Sequence, residues 1–246
     1  MPARELDPRS LKSIPLFSAF TDAELTRLMR ASQRRHYPKC ARIASAGSKS
    51  DGLYVLLAGR AKVLIEDGEG REVILSFFRP NEFFGESSLL DEECRSTTVQ
   101  STDACDVLFV PKKAFLECFT DNFDAALLIL RNVVERLRRA DRKIEDLALL
   151  DVYERVTRVL IDNSREENGH WVVEPGSEQI AQMVAASREM VSRVLKDLCE
   201  QGLVCRRKRK IIVLDRTSVA SRAGARSSRR SPRSPARKPV RLSDPA

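Results

Sequence analysis

Hydrophobic positions recur along this chain in three different rhythms. Near the N-terminus, Ala23, Leu25, Leu28 and Met29 form a short apolar stripe behind Thr21, a residue suited to capping a helix. The stripe predicts helix up to about Arg35. From Tyr37 to Val110 short apolar runs alternate with turn residues instead. Leu53–Leu57 precedes Ala58-Gly59, and Ala61–Ile65 precedes Glu66-Asp67-Gly68. Val73–Leu75, Thr97–Val99 and Val107–Val110 follow. Many short strands with regular turns predict a β-sandwich or jelly roll. No internal repeat is visible.

Beyond Pro111 the helical rhythm returns. Phe115, Leu116 and Phe119 predict a short helix, and a long one is expected from about Asp124 to Leu150. Within it Leu130, Leu137 and Ile144 are spaced by seven, with Val133, Ala140 and Leu147 three residues after each. This is the a/d seam of a two-stranded coiled coil. Charged residues such as Glu135, Arg136, Arg138, Arg139, Asp141, Arg142 and Lys143 cover the other faces. One narrow apolar stripe suits a partner helix, so a homodimer is expected; a helix packed on its own domain is the competing account. Val152, Val156, Val159 and Leu160 predict a further helix, and Asn163 to His170 is a polar stretch. Two short helices come next, the first behind Ser177 and the second behind Ser187, joined by the tight turn Ala185-Ala186. A hairpin is expected to follow, with strands Leu203–Cys205 and Ile211–Leu214 around a turn from Arg206 to Lys210. After Asp215 the chain becomes rich in Ser, Arg, Pro and Ala, too poor in apolar residues to fold. The expected class is α+β. The expected boundaries are 1–123 for the jelly roll, 124–150 for the long helix, 151–219 for a winged helix-turn-helix and 220–246 for a disordered basic tail.

Composition narrows the chemistry. The net charge of +8 lies mainly in the tail, where eight cations face the single anion Asp244 after Val219. A basic tail on a nearly neutral body suggests a polyanionic partner. The six cysteines contain no C-x-x-C pair and only two histidines exist, His36 and His170. No metal site is expected from so few clustered soft ligands. No apolar run reaches the roughly 18 residues of a membrane span, and Met1 to Phe20 lacks a signal-peptide core, so a cytoplasmic protein without a membrane partner is expected. No nucleophile–base pair points to an enzyme.

Two constellations carry function. In the first, Ser177 and Ser187 can cap the paired helices. Ile180, Met183 and Val184 form the inner face of one; Met190, Val191, Val194, Leu195 and Leu198 form that of the other. Arg188, Glu189, Ser192 and Arg193 then lie exposed at the start of the second helix, where a helix-turn-helix reads base edges of double-stranded DNA. Arginine grips guanine through two hydrogen bonds, and a carboxylate accepts from cytosine N4. The hairpin turn Arg206, Arg207, Lys208, Arg209 and Lys210 puts five adjacent cations beside it, suited to phosphates. The second constellation is Gly85-Glu86 followed by Arg95-Ser96. Backbone N–H groups by the glycine and the guanidinium can hold a cyclic phosphate, while the glutamate accepts from a ribose hydroxyl. A buried Arg95–Glu86 salt bridge is the competing account.

The order of these parts resembles the CRP/FNR family of bacterial regulators, over roughly residues 14 to 215. The motifs that carry the resemblance are Gly85-Glu86-Ser87 with Arg95-Ser96, the segment Asp146–Val152, and Ser187–Arg193. It implies a jelly-roll nucleotide sensor, a long dimer helix, and a winged helix that binds palindromic DNA and recruits or blocks RNA polymerase. By resemblance, Gly85, Glu86, Arg95 and Ser96 match the phosphate–ribose pocket, and Arg188, Glu189 and Arg193 the base-reading residues. The N-terminal cysteine cluster of the oxygen-sensing branch is missing, so iron–sulfur sensing is not expected. Where cyclic-AMP-binding members carry two hydroxyl residues on the dimer helix, this chain has Ala140 and Asp141. A carboxylate matches the adjacent N1–H and N2–H donors of guanine, which favours cyclic GMP or cyclic di-GMP over cyclic AMP. Two other readings stay open: a cyclic-nucleotide-binding module without DNA function, and a ligand-independent regulator with a vestigial pocket.

Overall fold

The computed structural model describes residues 11–119, 122–207 and 210–223. After a 3-10 turn at Pro15–Phe17 comes helix α1 (Asp22–Ala31), whose cap Thr21 forms the reciprocal box with Glu24. Strands β1 (Gln33–Tyr37), β2 (Arg42–Ala44), β3 (Gly52–Ala58), β4 (Ala61–Glu66), β5 (Glu72–Phe78) and β6 (Phe83–Phe84) follow, then the single turn α2 (Ser87–Leu90). Strands β7 (Thr98–Ser101) and β8 (Cys105–Pro111) lead to α3 (Lys112–Phe119) and the long α4 (Phe123–Leu149). The remainder runs α5 (Val152–Asp162), β9 (Ser164–Glu167), β10 (His170–Val173), α6 (Ser177–Val184), α7 (Arg188–Glu200), β11 (Val204–Arg207), β12 (Lys210–Val213) and α8 (Arg216–Arg222). The chain divides into two compact units. One comprises the chain up to Glu145 together with Ser177–Arg188; the other comprises Asp146–Gly176 and the chain from Glu189 on.

In the first unit two four-stranded antiparallel sheets, ordered β1-β8-β3-β6 and β2-β7-β4-β5, form the jelly roll. The apolar run of β3 has no gaps because both its faces are buried. Leu53 and Val55 join a cluster with α1, α3 and the start of α4, while Tyr54 and Leu56 join the cluster that also takes residues of the second sheet. The same alternation places Leu108 and Val110 of β8 on the helical side, and Val107 and Phe109 on the other. Period-two side-chain direction turns one apolar run into two cores.

In the second unit β11-β12-β10-β9 form one sheet. Val156 and Leu160 of α5, Val191, Leu195 and Leu198 of α7, and Val213 of β12 are among its buried residues. Asp151 caps α5 through a box with Glu154, at 2.9 and 3.0 Å. Arg216 at the start of α8 holds its guanidinium 4.3 Å from the ring centre of Trp171, the single tryptophan of the chain.

Several expectations are corrected. Helix does not continue to Arg35: it ends at Ala31, and Gln33–Tyr37 is an edge strand on β8. His36 and Arg34 bond to Asp106 there, at 3.0 and 2.6 Å, and hold its carboxyl below the usual range. Tertiary pairing overrides a segment with no apolar pattern of its own. The polar stretch Asn163 to His170 holds strand β9 and the turn into β10, with Asn168 and Gly169 both at positive φ. The hairpin strands β11 and β12 run into the cation cluster and pair Arg207 with Lys210, so the turn is shorter than expected. The chain after Asp215 forms α8, held by its buried Val219 and by Arg222 bonding to Tyr153 at 3.0 Å.

Candidate effector pocket and nucleic-acid interface

The pocket is built on the ends of β3 and β6 and on the segment before β7. Gly85 has φ +92°, and a Cβ there would lie 2.9 Å from Arg95 Nη1 and 3.0 Å from the Gly52 carbonyl. Only glycine fits on both counts. The structure thus brings Gly85 and Arg95 into contact. Arg95 is 6% exposed. Its Nη2 donates to Asp51 Oδ1 at 3.0 Å and, at 3.4 Å, to the Gly52 carbonyl. The guanidinium lies 5.1 Å from the centre of the Tyr54 ring. The loop before β3 is laced to the same residue: Gly47 N–H donates to the Arg95 carbonyl at 2.8 Å, and Arg95 N–H to that of Ser48 at 2.9 Å. Tyr54 Oη donates to Asp51 Oδ1 at 3.2 Å. Burial, reinforced by the Asp51 carboxylate, pushes the phenol up to about 12, so it stays a neutral donor.

Glu86 is fully buried and does not pair with Arg95. Arg136 Nη1 of α4 donates to Glu86 Oε1 at 2.7 Å, and Arg136 also bonds to the Phe83 carbonyl. Glu86 Oε2 and Ser50 Oγ are buried without a partner. The competing Arg95–Glu86 bridge is therefore replaced by two separate pairs, Arg95–Asp51 and Glu86–Arg136. Arg136 was expected on the solvated face of the helix; a carboxylate fifty positions earlier draws it inward. Sequence reasoning missed Asp51, Tyr54 and Arg136. Asp51 reads as a turn residue, Tyr54 as part of an apolar run, and no spacing marks Arg136. Ser96, Ala140 and Asp141 are exposed, the last two about one turn beyond Arg136 on α4.

In the nucleic-acid element, α6 ends at Val184, Ala185 turns the chain at φ +50°, and α7 begins at Arg188 directly after Ser187. Ser177 is the half-buried first residue of α6. Arg188, Glu189, Ser192 and Arg193 are exposed on α7, while Val191, Leu195 and Leu198 are buried. Met190, expected on the inner face, is 44% exposed. At 100° per residue it falls between the Arg193 side and the buried stripe. Arg188 forms an ion pair with Glu178 of α6. Arg206, Arg207 and Lys210 are exposed on the β11–β12 ribbon, and Lys210 pairs with Glu167 of β9 at 2.7 Å. Lys208 and Arg209 lie outside the described residues. Among the described residues no group of three or more His, Cys, Asp or Glu could hold a metal ion, and no helix is long and apolar enough to cross a membrane.

A jelly roll with a buried arginine beside a positive-φ glycine, followed by a long helix and a helix-turn-helix with an exposed basic ribbon, defines a DNA-binding regulator with a nucleotide sensor. Residues 34–122 match the cyclic nucleotide-binding domain family, and residues 154–221 the Crp-like helix-turn-helix domain. The cAMP-activated global transcriptional regulator Vfr of Pseudomonas aeruginosa is 34% identical over 189 residues, 73% of this chain and 88% of that one. The cAMP-activated global transcriptional regulator CRP of Salmonella typhimurium is 30% identical over 199 residues, covering 78% and 95%. Among solved structures, the c-di-GMP responsive global regulator CLP of Xanthomonas campestris has a TM-score of 0.70 at 26% identity, covering 78% of this chain and 99% of that chain. The chain belongs to the CRP/FNR family of transcription regulators. These relatives are regulators rather than enzymes.

Proposed function

We propose that the chain works in the cytoplasm as a homodimer that binds a two-fold symmetric operator under the control of a cyclic nucleotide, and that it acts on RNA polymerase at the promoters it reads. The assigned parts are residues 1–123 as sensor, 124–150 as dimer helix, 151–219 as DNA-binding domain and 220–246 as basic tail. The observation that carries this reading is the buried Arg95 packed against the Gly85 turn inside a cyclic nucleotide-binding domain. A guanidinium there is a phosphate ligand by charge and geometry. The unpartnered Oε2 of Glu86 supplies an acceptor for a ribose hydroxyl.

On α4, Leu130, Leu137 and Ile144 are exposed, with Leu137 at 60%. A groove of about 550 Å³ runs beside the start of this seam, lined by Leu127, Leu130, Val134 and Phe83 among others. A second copy of the helix is the occupant that a heptad stripe selects. Asp141 on the same helix would read the base, and its acceptor-only carboxylate favours guanine. The CLP regulator, responsive to cyclic di-GMP, supports a guanine dinucleotide; the cAMP-activated regulators Vfr and CRP keep cyclic AMP in play. In the DNA element, Ser177, Ser187, Arg188, Glu189, Ser192 and Arg193 would meet the major groove or its phosphates, and the wing from Arg206 to Lys210 the backbone.

Calorimetric titration with cyclic AMP, cyclic GMP and cyclic di-GMP, paired with operator gel shifts, tests the reading. One of the three should bind and change operator affinity. A second reading has its own support: Arg95 already pairs with Asp51 and one oxygen of Glu86 with Arg136, as in a pocket filled by its own side chains. Full operator binding as purified, with no nucleotide bound, would establish that ligand-independent regulator.

A further inference from the structure

We infer that Asp51 is the affinity-setting residue of the effector pocket, a built-in anion that competes with the cyclic phosphate for Arg95. The inference rests on the nucleotide reading above and deepens it. Arg95 is a nearly buried cation, yet its Nη2 is occupied by a carboxylate at 3.0 Å. The other charged pair of the pocket, Glu86 with Arg136 at 2.7 Å, is also internally balanced. Two cations and two anions leave no net positive charge for an incoming phosphodiester. A phosphate brought to Arg95 meets the Asp51 carboxylate as a like charge, and like charges at close range are mutually unfavourable.

The two members of the pair differ in freedom. Arg95 is fixed on all sides, by the Gly85 turn, the Gly52 carbonyl, the Tyr54 ring and the backbone lacing to Gly47 and Ser48. The Asp51 side chain is 56% exposed and, besides Arg95, is held by the Tyr54 hydroxyl. The carboxylate can therefore swing to solvent while the guanidinium stays, which is what displacement by a ligand requires. Tyr54, held neutral by its raised pKa, keeps a hydroxyl that can donate to whichever anion sits there.

The test is calorimetric titration of the full-length protein with cyclic AMP, cyclic GMP and cyclic di-GMP, on the wild type, Asp51→Asn and Asp51→Glu. The amide of Asn keeps an acceptor for Arg95 and removes only the charge. Asp51→Asn should tighten binding of the preferred nucleotide about two- to fivefold, the range expected of a half-exposed charge pair. Asp51→Glu should stay near the wild type. The gain should shrink with added salt, as the Debye length falls from about 10 Å at 0.1 M to about 3 Å at 1 M. Binding by Asp51→Asn alone would be the strongest form of support. Weaker or unchanged binding in Asp51→Asn would make Asp51 a positioning residue or a bystander and overturn the inference, leaving the nucleotide reading intact. No binding in any variant, with operator binding preserved, would overturn the nucleotide reading and the competition with it. Melting curves confirm folding, and Asp51→Ser replaces the Asn variant if that one does not fold.

Discussion

Arg95 and Arg193 are both arginines in short polar motifs, but the chain places them in opposite environments. Arg95 is stripped of water and held by a carboxylate, a carbonyl and a ring; Arg193 stands exposed on α7. An exposed guanidinium on a recognition helix acts only when a base edge arrives, so its contribution should be confined to specific DNA. Arg193→Ala is expected to cost about 1–3 kcal/mol on a matched operator and to relax preference at one guanine. Competition binding against scrambled DNA checks this; equal loss on both DNAs would remove Arg193 from base reading. At this scale the sequence was legible where chemistry is local. Gly85, Glu86 and Arg95 stand close together in the chain, and the structure keeps Gly85 and Arg95 in contact. The partners were not legible, because the carboxylate that meets Arg95 lies 44 positions away and the cation that meets Glu86 lies 50 away. Met190 was misassigned because it borders the buried stripe, where one residue's turn of the helix decides its exposure.

Elements whose pattern matched their burial were the easiest to foresee. The run Leu53–Leu57 reads as a strand, and β3 uses both its faces. The Asn168-Gly169 dipeptide was the missed signal for β9–β10, since both residues adopt the positive φ that a primed hairpin turn demands. Nothing comparable marked β1, whose strand character comes from β8 alone. The long helix carries its seam openly: Leu130, Leu137 and Ile144 are exposed although they are apolar and in register. In the proposed homodimer, Leu137→Glu would set a charge against its symmetry mate in a dry interface, at a cost of several kcal/mol. Sedimentation should then show monomers, and operator binding should be lost because the half-sites are no longer read together. A variant that stays dimeric would move the interface elsewhere.

The charge of the whole molecule is unevenly distributed, and the structure sharpens where the basic tail begins. Arg222 bonds within the second unit and Ala223 is buried, so truncation belongs after Ala223; residues 224–246 lie outside the described residues. That segment keeps seven cations and one anion. Removing it should weaken binding to random DNA and flatten the dependence of log affinity on log salt, while base preference persists. Binding measured across a salt series checks this, and an unchanged slope would mean that the tail does not touch DNA. The Glu86–Arg136 pair has another consequence, for the order in which the protein can be made. On the ribosome, where synthesis proceeds at about 5–20 residues per second, all eight strands of the jelly roll emerge before Arg136 does. Until then the buried Glu86 carboxylate lacks the cation it meets in the finished structure. The charge pairing inside the sensor is thus complete only when the following helix arrives, together with the start of the apolar heptad stripe that α4 carries.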